Sequence, residues 1–242
     1  MQWLKIYWVK KFKKVNAQQY DQVLSHYSSY YNDLNTDLKN RFIERTFISN
    51  HYIKFTPNNF DEVSEEMKII IGSALTQITF GLKQFILDTF TQIYVVPSIY
   101  NFGEYKNLLG HVDFNEKCMV ISWPSVQEGF IIPDDAINVA LHEMAHAIQG
   151  DDRFRRIGKK FFDVYKLRKW EEEGVKKLAL IRADQNEFLK SYGGLNMLEL
   201  FAVSIEAFFE QSEMFKVKLP ALYNCLVDLL NQDPTNKDNP IA

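Results

Sequence analysis

The five residues His142-Glu143-Met144-Ala145-His146 constrain this chain more than anything else in it. They lie within residues 132–150, IPDDAINVALHEMAHAIQG, a stretch whose composition predicts one uninterrupted helix. Pro133 and Asp134 form the start signal, with Asp134 or Asp135 as the cap for the first-turn N–H groups. Gly150 is the expected stop. Residues four apart share a helical face, roughly 6 Å apart at Cβ. His142 and His146 can therefore offer two imidazole nitrogens to one metal ion, and Glu143, one step round, can reach a water beside it. Two neutral nitrogens suit Zn²⁺, which in catalytic sites takes three protein ligands and keeps a position open. The zinc acidifies that water and polarises a scissile carbonyl while the glutamate takes the proton.

H-E-x-x-H fixes only three positions, and chance supplies it on ordinary amphipathic helices too. The flanks here are uncharged: Val139, Ala140, Leu141, Met144, Ala145, Ala147 and Ile148. That predicts burial, and a buried helix carrying two histidines and a glutamate calls for a cation, because unpaired buried charge is costly. The third ligand must come from another buried element. Residues 196–209 predict an apolar helix interrupted by Glu199 and Glu206, two turns apart on one face. One acid can bind zinc while the other orients a ligand histidine. His26, His51 and His111 stand alone and stay outside the metal set.

With 242 residues and 46% hydrophobic content, one large domain with one core is expected,. The formal net charge of −3 gives no field suited to nucleic acid,. Cys118 and Cys225 lack metal-ligand spacing and read as free thiols of a reducing, cytoplasmic compartment. No secretory signal is expected, and no apolar run approaches the ~20 residues of a membrane span. Trp3, Leu4, Ile6, Tyr7, Trp8 and Val9 precede Lys10, Lys11, Lys13 and Lys14. Aromatics beside lysines also occur at membrane interfaces, but an amphipathic lead-in helix is the preferred reading.

Along the chain, residues 18–31 place Tyr20, Val23, Leu24, Tyr27 and Tyr31 on one helical face. A second helix starts at Thr36, a short strand ends at Pro57, and Ser64 caps an apolar helix over residues 67–82. Residues 93–96 read as a strand, residues 101–107 as a polar loop, and residues 111–114 with 118–123 as a hairpin. Residues 120–123 are either a substrate-binding edge, since peptides often join a sheet edge above the metal, or equally a plain core strand. Residues 151–160 read as a charged loop, 161–188 as a helix in two pieces around Gly174, and 191–194 as a turn. A last helix opens at Pro220. The fold class is therefore α+β and predominantly helical, with a small sheet beside the H-E-x-x-H helix. Residues 1–35 form a helical lead-in of the same domain, 36–232 the metallopeptidase domain and 233–242 a disordered tail.

His142 to Gln149 (HEMAHAIQ), followed by Glu199 to Phe209 (ELFAVSIEAFF), resembles the Mlc titration factor A family of bacterial zinc peptidases. That family reads H-E-x-A-H, then E-x-F-A-V-x-S-E-x-F-F, then Pro-x-L-Y. Pro220-Ala221-Leu222-Tyr223, Gln232-Asp233-Pro234, Ile121-Ser122-Trp123 and Glu128-Gly129 also fit, and the similarity covers residues 40–234. The resemblance implies a zincin-like fold similar to the catalytic domain of anthrax lethal factor. It also implies a gluzincin-type site: Zn²⁺ on His142, His146 and Glu199, Glu143 as base, and Tyr192 as a donor to the developing oxyanion. A glycine-rich turn would let that tyrosine swing in. The activity implied is aminopeptidase-like cleavage of peptide or protein substrates. The family's name also implies the alternative of a binding protein that sequesters a transcriptional repressor. One departure touches the role of Glu206: Ser204 stands two residues before it, where the family has serine immediately before the glutamate.

Overall fold

The computed structural model describes residues 2–156, 158–183, 188–236 and 240–241. The chain opens with four helices, α1 (Gln2–Phe12), α2 (Ala17–Tyr27), α3 (Ser29–Asn32) and α4 (Thr36–Asn50). Asn16, Ser28 and Asn35 cap α2, α3 and α4, each side chain accepting a first-turn N–H,. Strand β1 (Lys54–Pro57) leads to α5 (Glu65–Thr79), which Ser64 caps as expected and whose first turn carries Glu65 and Glu66 at the positive end of the dipole,. Every residue of α5 from Ile69 to Thr79 is buried, so it is the central helix,.

α5 is also the crossover between β1 and β2 (Gln92–Val96), which pair in parallel and cannot be joined by a tight turn,. A separate hairpin follows, β3 (Tyr100–Phe102) and β4 (Tyr105–Leu108). Strands β5 (Gly110–Asp113) and β6 (Cys118–Ser122) pair antiparallel. The main sheet has the order β1-β2-β6-β5, with β5 reversed at one edge. Helices α6 (Trp123–Ile131), α7 (Val139–Phe154) and α8 (Val164–Arg182), a 3-10 turn at Ser191–Gly194, and α9 (Met197–Glu210), α10 (Ser212–Lys218) and α11 (Pro220–Leu230) complete the domain. Side chains of α5, α7, α8, α9, α11 and the sheet share one core. This is the expected helix-rich α+β architecture.

Several expectations are corrected. The H-E-x-x-H helix does not begin at Pro133. Asp135 Oδ1 accepts the Ile137 N–H at 2.8 Å and Ala136 takes φ +56°, so the backbone turns first. The cap is Asn138, whose Oδ1 accepts from Leu141 N–H at 3.1 Å. Nor does Gly150 end the helix, which runs on to Phe154. Gly150 is there because a Cβ would lie 2.6 Å from the Phe90 ring. The charged stretch after it is partly helix, and Asp151 is 0% exposed. Its carboxylate accepts the Asp88 and Thr89 N–H groups and pairs with Arg155 Nε at 2.6 Å.

The candidate edge, residues 120–123, is interior: β6 lies between β2 and β5, and Trp123 already belongs to α6. The edge strand is β5. The expected loop at 101–107 is the β3–β4 hairpin, turned by Gly103 at φ +57° and pinned by Asn101 Oδ1, which accepts the Asn107 N–H,. α8 is continuous through Gly174, and residues 184–187 of the helix expected there lie outside the described residues. The expected tail is held against the domain at two points: Tyr223 Oη donates to Asp233 Oδ1 at 2.6 Å, and Gln232 forms an antiparallel bridge with Ile241. Residues 237–239 and 242 lie outside the described residues.

Gly150→Ala tests the packing. Alanine in a helix interior ordinarily stabilises, but here it collides with a ring that is itself buried. The substitution is expected to lower stability by about 1–3 kcal/mol, read by chemical denaturation.

Candidate metal centre

α7 and α9 cross so that the side chains singled out in the sequence converge. His142 Nε2 lies 3.2 Å from Glu199 Oε2 and 3.2 Å from His146 Nε2. His146 Nε2 lies 3.4 Å from the same Glu199 oxygen. Glu199 arrives there because Asn196 caps α9, its Oδ1 accepting the N–H groups of Leu198 and Glu199 itself. On the other side of His142, Nδ1 is 3.2 Å from Glu206 Oε2. The serine two residues before Glu206 is buried and does not disturb that contact. His142, His146 and Glu199 form the His/His/Glu group among the described residues whose donor atoms can meet one metal ion.

The electrostatics follow from the enclosure. Burial alone would lower the pKa of His142, but hydrogen bonds to Glu199 and Glu206 and the charge of Glu143 outweigh it and raise the value to about 10. Burial likewise opposes ionisation of Glu199, yet its bonds to His142 and His146 bring it down to about 2. Glu143 is 5% exposed, and burial holds its carboxyl above the ordinary range despite the two nearby imidazoles. It lies under the edge strand: a Cβ on Gly110 of β5 would sit 2.8 Å from Glu143 Cγ. His146 Nδ1 and Glu143 Oε2 are buried with no hydrogen-bond partner among the described residues.

Tyr192 is 52% exposed, with its ring centroid 6.1 Å from that of His142. Burial, then Glu199, Glu143 and Tyr105, raise its phenol pKa, so the hydroxyl keeps its proton at neutral pH. The glycines after it have a packing role in the structure. Neither has positive φ, and a Cβ on Gly193 would meet Val203 Cγ2 at 2.7 Å, so they permit close packing of the turn on α9. His111 is occupied elsewhere, 2.6 Å from Tyr100 Oη and stacked on Phe102.

Three participants were not anticipated from the sequence. Asn138 joins the start of α7 to α9: its N–H donates to Glu206 Oε1 at 2.8 Å and its Nδ2 to Glu210 Oε1 and Gly129 O, both at 3.0 Å. An asparagine directly before an apolar run is a cap signal, but Pro133-Asp134 masked it. Glu210, one turn beyond Glu206, has its other oxygen buried with no partner among the described residues. Gly110 had no sequence signal, because only the tertiary approach of Glu143 gives it meaning.

A half-buried His/His/Glu constellation on two packed helices, beside a small sheet, defines a metallopeptidase-like domain. Residues 4–230 match the family model for the glucose-regulated metallo-peptidase M90, and the chain belongs to that family. Among curated relatives, it is 24% identical over 125 residues to Mlc titration factor A of Escherichia coli strain SMS-3-5, covering 49% of this chain and 46% of that protein. It is 21% identical over 187 residues to Mlc titration factor A of E. coli O1:K1, covering 70% and 69%. The protein of the same name from Shigella flexneri serotype 5b is 23% identical over 125 residues, or 49% and 46%. The match thus spans less than half the length of the SMS-3-5 and Shigella relatives.

Glu210 predicts a pH dependence. Burial, with Glu206 and Asp135 nearby, raises its pKa from 4.5 to about 8, against the lowering effect of Asn138 and Lys190. The folded state therefore holds this proton more tightly than the unfolded chain. The contribution to stability is full below about pH 4.5 and is lost as pH rises through about 8,. Glu210→Gln is expected to remove that slope and to be more stable than wild type at alkaline pH by on the order of 2–4 kcal/mol, measured by urea unfolding across the range.

Proposed function

We propose that this chain is a zinc-dependent peptidase. His142, His146 and Glu199 are its metal ligands, Glu143 its general base and Tyr192 its oxyanion donor. The observation that carries the reading is the triangle of donor atoms, with sides of 3.2, 3.2 and 3.4 Å. Bonds of about 2.0–2.1 Å in tetrahedral geometry separate donors by about 3.4 Å, so the three side chains fit a single zinc ion. Zinc, when bound, supplies a Lewis acid that polarises the scissile carbonyl and acidifies water.

The chain's own residues do the rest. Glu206 accepts the Nδ1–H of His142 and so presents the Nε2 lone pair to the metal,. Glu143, whose buried carboxyl has a raised proton affinity, takes the proton of the attacking water and delivers it to the departing amine,. Tyr192 keeps its hydroxyl proton and donates to the oxygen that gains charge,. An extended peptide adds to the edge strand β5, where the absence of a side chain at Gly110 leaves room for Glu143,. The reading extends to a gluzincin-type enzyme of the cytoplasm with aminopeptidase-like specificity, tested by comparing peptides with free and acetylated amino termini.

A second reading is suggested by the relatives' name, Mlc titration factor A: capture of a transcriptional regulator. A base next to the metal ligands has no use in a capture site, which is why hydrolysis is preferred. Regulator capture that survives chelation, without any peptide cleavage, would favour the second reading.

Glu143→Gln is expected to retain one zinc per chain and to lose about 10²- to 10⁴-fold in peptide hydrolysis. Gly110→Ala adds a methyl group 2.8 Å from Glu143 Cγ. It should lower kcat by roughly tenfold or more through displacement of the base, with metal content unchanged. Elemental analysis and steady-state cleavage assays read both outcomes, and full activity in Glu143→Gln would reject the mechanism.

A further inference from the structure

Helix α1 presents an apolar face that the domain does not cover. Its inner side is well held. Val9 is fully buried in a cluster with Ile48, Phe85 and Ile86. Gln2 donates to Lys83 O at 2.9 Å and accepts the Phe85 N–H at 3.0 Å. Tyr52 Oη donates to Lys5 O, and Lys5 pairs with Asp88 at 2.7 Å. Lys10 pairs with Glu44. The helix is therefore fixed in orientation, and its outer side is fixed with it.

That outer side carries Trp3 at 61% exposure, Tyr7 at 56%, Phe12 at 59%, and Leu4 and Trp8 each at 44%. At four-residue spacing they form two neighbouring rows, Trp3–Tyr7 and Leu4–Trp8–Phe12, which together cover the half of the helix turned away from Val9,. Lysines border it. Lys11 Nζ lies over the rings of Tyr7 and Phe12 at 5.5 and 5.4 Å, and Lys13 Nζ over Trp8 at 5.5 Å. Among the described residues, Lys11, Lys13 and Lys14 have no carboxylate partner. No acidic residue occurs before Asp21, although the whole chain carries a net charge of −3.

We propose that this face seats on an anionic phospholipid surface. Tryptophan and tyrosine beside lysine suit the headgroup boundary, where rings enter the acyl edge and ammonium groups meet phosphates. A helix of 11 residues is about 16 Å long, too short to cross a bilayer, so it lies in the plane,. A second copy of the chain is the poorer occupant, since a symmetric contact would set lysine against lysine with no carboxylate between them. An acidic protein would satisfy the lysines but would need a groove for a convex ridge of rings, whereas a bilayer accepts the ridge as it stands. The proposal does not depend on the peptidase reading.

The test is flotation of the full chain with vesicles of phosphatidylcholine alone, or of phosphatidylcholine mixed equally with phosphatidylglycerol, at low and high salt. Tryptophan emission is followed in parallel. Binding to the mixed vesicles, weakened by salt and accompanied by a blue shift, is expected. Lys11→Glu/Lys13→Glu/Lys14→Glu should weaken it by at least about tenfold, since each lysine adds attraction near such a surface. Trp3→Ser/Tyr7→Ser should reduce both binding and the blue shift, with circular dichroism unchanged. Equal binding to both vesicle types, or none to either, overturns the proposal. So does self-association of the wild type, or capture of a purely acidic protein, that abolishes vesicle binding and is lost in the same variants.

Discussion

The crossing of α7 over α9 is the constraint on which the rest depends. It brings Glu143, Glu199 and Glu206 to two imidazoles in a place that water barely reaches. Carboxylates gathered at such short range repel one another unless a hydrogen-bonding or positive partner lies between them. In the structure His142 is such a partner, taking Glu199 on one nitrogen and Glu206 on the other. A histidine bonded through both nitrogens cannot rotate without breaking a buried contact. Its orientation is therefore set by α9 as much as by the helix that carries it.

The helix termini explain how the meeting is made accurate. Asn138 and Asn196 begin the two helices, and each does more than cap. Asn138 accepts the His142 N–H with its carbonyl and binds Glu206 through its own N–H. Asn196 accepts the N–H of Glu199. His142 and Glu199 thus sit within a turn of a cap, where fraying would otherwise be greatest. Lys190, close before Tyr192, donates to Ala136 O and approaches Glu206, so the tyrosine-bearing turn is tied to the same junction.

What could be read from the sequence divides along physical lines. The convergence of His142, His146 and Glu199 was legible because helical periodicity places them and an apolar context makes their charge conspicuous. Helix α5 was legible for the same reason, together with its Ser64 cap. Features set by distant backbone were not. Asp151 looks solvated, and its burial depends on N–H groups of Asp88 and Thr89, more than sixty residues away,. Glycines read ambiguously too: Gly150 looks like a terminator, yet it is the gap that Phe90 fills. The alternation in β6 cannot say whether a strand is interior or at the edge, since both faces of either kind obey the same period.

The edge position of β5 matters because it sets what can lie beside Glu143. β6 has a strand on either side, so its backbone groups are committed to the sheet. β5 has a partner on one side only, and its reversed direction relative to the other three strands follows from the tight turn that joins it to β6. That turn also fixes where Gly110 falls along α7. A one-residue slip in the β5–β6 register would exchange inward and outward positions and put a side chain where Gly110 now leaves space. The same hairpin that closes the sheet therefore sets the clearance above the buried glutamate, and it links the sheet's register to the shape of the metal centre.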